Sequence, residues 1–227
     1  MQNLELSEDI DNKIKYKLEA SCPKTKKSYL FFKRSFDIIS SSCAIIVFSP
    51  VLIIISILVK CDSKGSVFFA HKRLGKNGKI IGVFKYRTMV QNAEDLLKKL
   101  TPEQKREYET NFKLENDPRI TKIGQFLRKT SLDELPQLFN ILLGNMSVVG
   151  PRPIVEKELN KYGDFSDKLL SVKPGLTGNW QANGRSDTTY EERVKLDIEY
   201  INNRNFWYDI KIILKTVITV LRREGAR

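Results

Sequence analysis

Residues 128–153, RKTSLDELPQLFNILLGNMSVVGPRP, set an adjacent acidic pair, Asp133-Glu134, between Arg128 and Arg152 in a stretch with almost no other charge. A carboxylate can attack phosphorus or hold a divalent cation, and guanidinium groups neutralise phosphate oxygens through charge-assisted, often bidentate hydrogen bonds. The pattern is that of a phosphate-handling site. The same residues also read as the start of a helix. Ser131-x-x-Glu134 has the form of a capping box, whereas Asp133 as N-cap would put Pro136 in the tolerant first turn. In either register both carboxylates fall at a helix N-terminus, where the macrodipole favours acidic residues.

Composition narrows the chemistry. The chain of 227 residues is long enough for one domain with a real core. Lys+Arg 39 against Asp+Glu 27 gives a net charge of +12, which points to an anionic partner: nucleic acid, anionic lipid or a phosphorylated substrate. Cys22, Cys43 and Cys61 are widely spaced without a Cys-x-x-Cys pattern, so neither a zinc site nor a disulfide framework is indicated. The single histidine, His71, sits in a basic, strand-like segment, which argues against histidine-built metal sites and a Ser-His-Asp triad. Catalysis is left to carboxylates, lysines and arginines.

The elements that must position these residues begin with an uncharged apolar run at residues 38–59, about 22 residues, long enough to cross a hydrocarbon core of ~30 Å. Ser49-Pro50 falls in its middle. Lys33-Arg34 precede it, and Lys60, Lys64, Lys72 and Arg73 follow. Positive charge prefers the cytoplasmic side, so both flanks stay there if the run enters and returns as two half-helices bent at Pro50. The alternative is a proline-kinked spanning helix. Residues 1–28 form a charged tail, expected to be flexible, 29–60 the re-entrant hairpin and 61–227 a cytoplasmic catalytic domain. Within that domain the sequence predicts a β-hairpin over 67–86 around a Gly75-Lys76-Asn77-Gly78 turn. A helix follows over 91–100, and Thr101, Pro102 and Gln104 cap the start of another. Asp117-Pro118 makes a turn into a short helix that carries Ile123, Phe126 and Leu127 towards the core and delivers Arg128. A strand covers 146–149, and glycine-rich loops cover 174–178 and 183–185. Residues 206–223 are an amphipathic helix with Ile210, Ile213, Leu214, Val217, Val220 and Leu221 on one face, suited to a bilayer interface or to the core, and to both if the domain sits against the membrane.

In this order the parts resemble a bacterial sugar transferase, a monotopic polyprenyl-phosphate phosphoglycosyl transferase of the small, single-domain type. The resemblance rests on Lys33-Arg34-Ser35-Phe36-Asp37, the Ser49-Pro50 break, Lys85-Tyr86-Arg87-Thr88-Met89, and residues 130–137, 149–153 and 173–185. It implies an α/β mixed, helix-rich monotopic membrane protein with an N-terminal re-entrant helix-break-helix, a small sheet and interfacial amphipathic helices. The implied reaction moves a sugar phosphate from a UDP-sugar to undecaprenyl phosphate and releases UMP at the cytoplasmic face of the bacterial inner membrane. By the same resemblance Asp133 is the nucleophile, forming an aspartyl phosphosugar, and Glu134 helps bind Mg²⁺. An anionic nucleophile attacking a diphosphate needs cations to offset repulsion; Arg128, Arg152, Lys85 and Arg87 are expected to supply them. Arg119, Arg185 and Asp209 lie in family-like segments as further candidates. His71 stands where relatives often carry glutamine.

Two rival classes make different demands. A metal-dependent nucleotide-sugar glycosyltransferase usually carries Asp-x-Asp within its fold, whereas here Asp9-Ile10-Asp11 lies in the tail. A membrane-anchored, non-enzymatic anion- or nucleic-acid-binding protein would account for the basicity but not for the acidic pair, and it predicts strongly salt-sensitive nucleic-acid affinity. The basic residues cluster beside the apolar run and the acidic pair, which favours lipid and phosphate over nucleic acid.

Overall fold

The computed structural model describes residues 26–98, 100–111, 114, 117–183 and 188–222. The charged tail before residue 26 lies outside them. In chain order the elements are α1 Lys27–Asp62, β1 Phe68–Leu74, β2 Ile80–Tyr86, α2 Ala93–Lys98, α3 Pro102–Asn111, α4 Lys122–Thr130, α5 Gln137–Leu143, β3 Ser147–Val149, α6 Glu156–Leu159, α7 Ser166–Leu170, β4 Gly175–Thr177, α8 Asn179–Ala182, α9 Tyr190–Asn203 and α10 Phe206–Leu221. The architecture is mixed and helix-rich, with two two-stranded sheets, β1-β2 and β3-β4. The predicted hairpin is present, and Asn77 takes the left-handed conformation its turn requires (φ 59°).

α1 is long and apolar enough to cross a membrane. It runs as one helical element through Ser49-Pro50, where the sequence predicts two half-helices. Proline removes one N–H from the ladder while the turns on either side keep theirs, so it interrupts the bonding without ending the element. Ile39, Ile46, Val47, Ile53, Ile54 and Ile57 along it are exposed.

The chain divides into two compact units, one of Val47–Ala70 with Phe84–Pro136, the other of Met1–Ile46, His71–Val83 and Gln137–Arg227. The smaller unit is built on Leu52, Ile55 and Val59 of α1, Tyr86 of β2 and Leu127 of α4. The Tyr86 hydroxyl donates to the Leu52 carbonyl at 2.8 Å, so this buried phenol is satisfied. The Thr101–Gln104 capping exchange forms as expected. α4 is capped by Thr121, whose side chain accepts from the Gly124 N–H, and ends at Ser131 in the left-handed conformation. Phe126 does not join the core; it is 54% exposed, because it sits about 100° round the helix from Leu127, the residue that faces inward.

In the larger unit β3 and β4 pair in parallel, Ser147 opposite Gly175 and Val149 opposite Thr177. The sequence reading places a loop at 174–178, and the structure corrects it. The strand is only three residues long, and a Cβ on Gly175 would stand 2.1 Å from the Gly150 nitrogen, so glycine here marks close backbone approach rather than a free turn. Val149, Ile154, Tyr162, Leu169, Val172, Val194, Ile198, Ile201 and Ile212 fill this core. α10 turns its polar stripe inward. Asp209 and Thr219 are buried beside Ile212, and Thr216 shares a 2.7 Å hydrogen bond with Thr177. Leu214, Val217, Ile218 and Val220, together with Trp207 at the helix start, are exposed. α10 therefore packs on the core through Ile212 and Ile213 and still presents an apolar stripe outward, so both fates the sequence allows are met by one helix.

Candidate active site

The acidic pair lies in the smaller unit, on a single 3-10 turn, Leu132–Glu134, that follows α4 and precedes α5. Ser131 stands at the N-cap of this turn with both carboxylates in its first turn, but the capping box does not form and Asp133 is not an N-cap. Ser131 makes no side-chain cap bond, and α5 begins only at Gln137, beyond Pro136. The left-handed Ser131 reverses the chain at the end of α4 and leaves Asp133 buried, 8% exposed, with Glu134 half-buried.

Lys85, near the end of β2, joins the pair. Its Nζ lies 2.6 Å from Glu134 Oε1 and 3.6 Å from Asp133 Oδ2. Burial pushes the Asp133 carboxyl above the usual range; Lys85 pulls it back, Glu134 pushes it further up and Arg128 again lowers it. The carboxylate is therefore poorly solvated and depends on its two cations to remain ionised. Arg128 is exposed as a residue, but partial desolvation where its guanidinium meets Thr88 lowers it, which Asp133 opposes; an arginine stays charged through such a shift.

Arg128 is held from behind. Its Nε donates to Thr88 Oγ1 at 2.9 Å, and Thr88 is itself buried. Helix α4 meets the Thr88 backbone through Gly124, where a Cβ would stand 2.1 Å from the Thr88 carbonyl oxygen, and the Thr121 N–H donates to that oxygen at 3.1 Å. A glycine inside a nine-residue helix costs roughly 1 kcal/mol relative to alanine. Here that cost allows one turn of helix to sit directly on a strand end. Gly124 and Arg128 are four residues apart and share a face, so this contact sets where the guanidinium stands.

The other expected residues take different places. Arg119 is buried and grips Asp117 with two hydrogen bonds, Nε to Oδ1 at 2.8 Å and an Nη to Oδ2 at 2.6 Å. Burial works against the Asp117 charge, but these bonds hold its carboxyl below the usual range. Arg87 donates to the carbonyls of Val59, Ser63 and Ser66, closing off the C-terminal end of α1. In the larger unit Arg152 stands 6.0 Å from the Trp180 ring, which Arg193 also covers at 4.4 Å. Asp209 is buried and accepts from Tyr29 and Tyr200 at 2.8 Å and from Lys33 at 2.9 Å, tying the first turns of α1 to α9 and α10. Ser49 and Pro50 lie within α1, and Arg185 falls outside the described residues. The structure thus brings Asp133, Glu134, Lys85 and Arg128 together. It adds Gly124, and it gives new roles to Thr88 and Asp117, which the sequence marks only as part of the family resemblance and as a turn. A lone glycine within a short amphipathic helix and an aspartate two residues before an arginine were the available signals.

Among the described residues no group of three or more His, Cys, Asp or Glu is arranged to hold a metal ion. Mg²⁺ commonly takes only one or two carboxylates and completes its shell with substrate phosphates and water. Glu134 with Asp133 beside it fits that second arrangement.

The model of the family described as bacterial sugar transferase matches residues 28–223. Over 204 residues, 88% of this chain and 43% of the relative, the sequence is 50% identical to the undecaprenyl-phosphate galactose phosphotransferase of Salmonella typhimurium. It is 45% identical over 197 residues to the exopolysaccharide production protein ExoY of Rhizobium meliloti, covering 86% of this chain and 87% of that protein. It is 43% identical over 197 residues to the UDP-glucose:undecaprenyl-phosphate glucose-1-phosphate transferase of Klebsiella pneumoniae, covering 83% of this chain and 40% of the relative. The chain spans less than half the length of the first and third of these proteins. With a match that covers most of its length and takes in the Lys85, Arg128 and Asp133-Glu134 cluster, the chain belongs to the bacterial sugar transferase family.

Proposed function

We propose that this protein transfers a sugar 1-phosphate from a UDP-sugar to undecaprenyl phosphate, releasing UMP and starting a lipid-linked glycan. The observation that carries this reading is the buried Asp133, adjacent to Glu134 and flanked by Lys85 and Arg128. The names of relatives, which specify galactose or glucose phosphate transfer to the undecaprenyl carrier, support it.

The cluster supports a two-step reading of the chemistry. An Asp133 carboxylate oxygen attacks the β-phosphorus of the UDP-sugar. The bond from that phosphorus to the bridging oxygen breaks, and UMP leaves with the electron pair. A phosphate oxygen of the lipid then attacks the same phosphorus, the carboxylate departs and a lipid diphosphosugar forms. Burial keeps water from Asp133, which protects an acyl phosphate from hydrolysis. Lys85 and Arg128 hold Asp133 ionised and offset the charge of the incoming diphosphate. Glu134 occupies Lys85 until a second cation arrives. Mg²⁺, held by Glu134 and Asp133 with the diphosphate oxygens, would supply Lewis-acid stabilisation of the developing charge.

We read α1 as the membrane segment, re-entrant at Ser49-Pro50, with its basic ends at the cytoplasmic face of the inner membrane. The exposed isoleucines and valines along it and the outward apolar stripe of α10 favour lipid contact for both. A lipid phosphate presents itself only at headgroup depth, so the catalytic carboxylate must work there.

The test is UMP release from a panel of UDP-sugars by the nanodisc-embedded protein with undecaprenyl phosphate and Mg²⁺, alongside Asp133→Asn. Release with one donor, dependent on the lipid and lost in the variant, is the expected result. Equal release from Asp133→Asn would remove Asp133 as nucleophile.

A further inference from the structure

The larger unit carries a meeting of cations of its own. Gly144 follows α5 with a positive φ of 85° and leaves a bare backbone spot. A Cβ placed there would lie 3.2 Å from an Arg34 Nη and 3.6 Å from Lys173 Nζ, so two cationic heads close on the same point from different segments. Arg34 is fixed by donating to the carbonyls of Ile141 and Leu142 at 2.7 and 2.8 Å, which still leaves further N–H groups on its five-donor fork. Lys173 is half-buried and, among the described residues, has no hydrogen-bond or ion-pair partner. The nearby carboxylate, Asp37, already accepts from the Ser147 hydroxyl and the Val148 N–H through one oxygen.

Two like charges held together cost free energy that the single buried Asp37 carboxylate offsets in part and that a further anion between them would relieve. Burial, and then Arg34, push the Lys173 ammonium below the usual lysine range, with Lys76 adding to that push and Asp37 opposing it. The surroundings identify the kind of anion. Leu142 and Leu143 beside Gly144 are exposed, Leu143 to 67%, and Ile38 is exposed one turn beyond Arg34 on α1. An aqueous phosphate needs no such apolar rim, whereas a lipid phosphate brings an acyl or prenyl chain to cover it.

We propose that Arg34 and Lys173 form a cradle over Gly144 that binds the phosphate of a membrane lipid. The membrane placement rests on the reading of α1 given above. Two lipids offer that chemistry: the polyprenyl phosphate acceptor, and an anionic phospholipid of the bilayer.

Native mass spectrometry of the full chain released from nanodiscs separates them. The probes are phosphatidylglycerol, undecaprenyl phosphate and inorganic phosphate, with Lys173→Gln and the charge-preserving Lys173→Arg. A basic residue near an anionic surface contributes ~1 kcal/mol, so Lys173→Gln should weaken retention of one phosphate lipid about fivefold and Lys173→Arg should restore it. Displacement of phosphatidylglycerol by undecaprenyl phosphate, with the loss seen for the latter, assigns the cradle to the acceptor. Loss of phosphatidylglycerol that undecaprenyl phosphate cannot displace assigns it to the bilayer. Equal retention of both lipids by wild type and Lys173→Gln overturns the proposal, as does binding of inorganic phosphate in preference to either lipid. The readout is bound mass, so it stands or falls independently of UMP release.

Discussion

Gly124→Ala is the sharpest perturbation of the site that touches none of its charges. The added methyl would lie 2.1 Å from the Thr88 carbonyl oxygen and 2.8 Å from both the Thr88 carbonyl carbon and its Cα, all backbone atoms. An ordinary carbon–oxygen contact needs about 3.3 Å, so α4 must retreat by ~1 Å. Overpacking of this kind costs about 1–3 kcal/mol, against the ~1 kcal/mol that alanine contributes as the better helix former. With a clash against rigid backbone the upper end applies, leaving a net loss of ~2 kcal/mol and a melting temperature lower by about 4–8 °C. The same retreat draws Arg128 away from Thr88 Oγ1, now 2.9 Å from its Nε, and so misplaces the guanidinium beside Asp133. A displacement of ~1 Å can cost 10²-fold in turnover.

Thermal unfolding followed by tryptophan fluorescence, paired with UMP release, measures both effects. Thr88→Val separates them: it removes the hydroxyl acceptor while leaving α4 in place, so turnover should fall with little change in melting, and Thr88→Ser should recover most of it. Wild-type melting and turnover in Gly124→Ala would refute the claim that this close approach sets Arg128.

Other expectations follow from burial. Asp133 has its folded pKa raised, so its contribution to stability is present below the unfolded pKa and lost as pH rises through the folded one. Asp133→Asn should therefore melt no lower than wild type at neutral pH while losing turnover, and a drop of several degrees would contradict this. Burial likewise pushes Asp197 up to about 7, with a 2.9 Å hydrogen bond from the Tyr162 hydroxyl and a Coulombic pull from Arg193 opposing the rise. Its contribution to stability is complete below pH ~4 and declines up to pH ~7, a decline that Asp197→Asn should flatten in denaturant titrations across that range. Asp209→Asn loses the charge that Lys33 and two tyrosine hydroxyls share, and should destabilise the fold by about 1–3 kcal/mol in urea unfolding; unchanged unfolding would remove its anchoring role.

The acidic pair and its cations were legible because their chemistry is written in residue types. Asp133 and Glu134 form an adjacent acidic pair, Lys85 and Arg128 are basic residues in separate segments, and the structure gathers all four in one unit. What the chain hid was how each arginine would be used. Arg87, Arg119 and Arg128 look alike in sequence, yet one closes a helix end, one pairs with Asp117 and one faces Asp133. Local spacing cannot sort them, because the carbonyls and carboxylates they meet are brought in by tertiary packing. The hairpin was readable from its Asn77-Gly78 turn, whereas β4 was not: three residues beginning with glycine carry no period to detect. On α10 the predicted apolar face divides: Leu214, Val217 and Val220 face outward while Ile213 packs on the core, and the direction follows from Asp209, Thr216 and Thr219 finding partners inside.

The central claim is that Asp133 itself carries the sugar phosphate. The direct measurement is to incubate the nanodisc-embedded protein with Mg²⁺ and the UDP-sugar that supports turnover, omit the polyprenyl phosphate, and determine both UMP released and the mass of the peptide containing Asp133. The account predicts a stoichiometric burst of UMP and a hexose-phosphate mass on that peptide, both removed by later addition of undecaprenyl phosphate or by Asp133→Asn. Full turnover with the lipid present, but neither UMP nor adduct in its absence, would mean direct transfer between the two substrates and would contradict it.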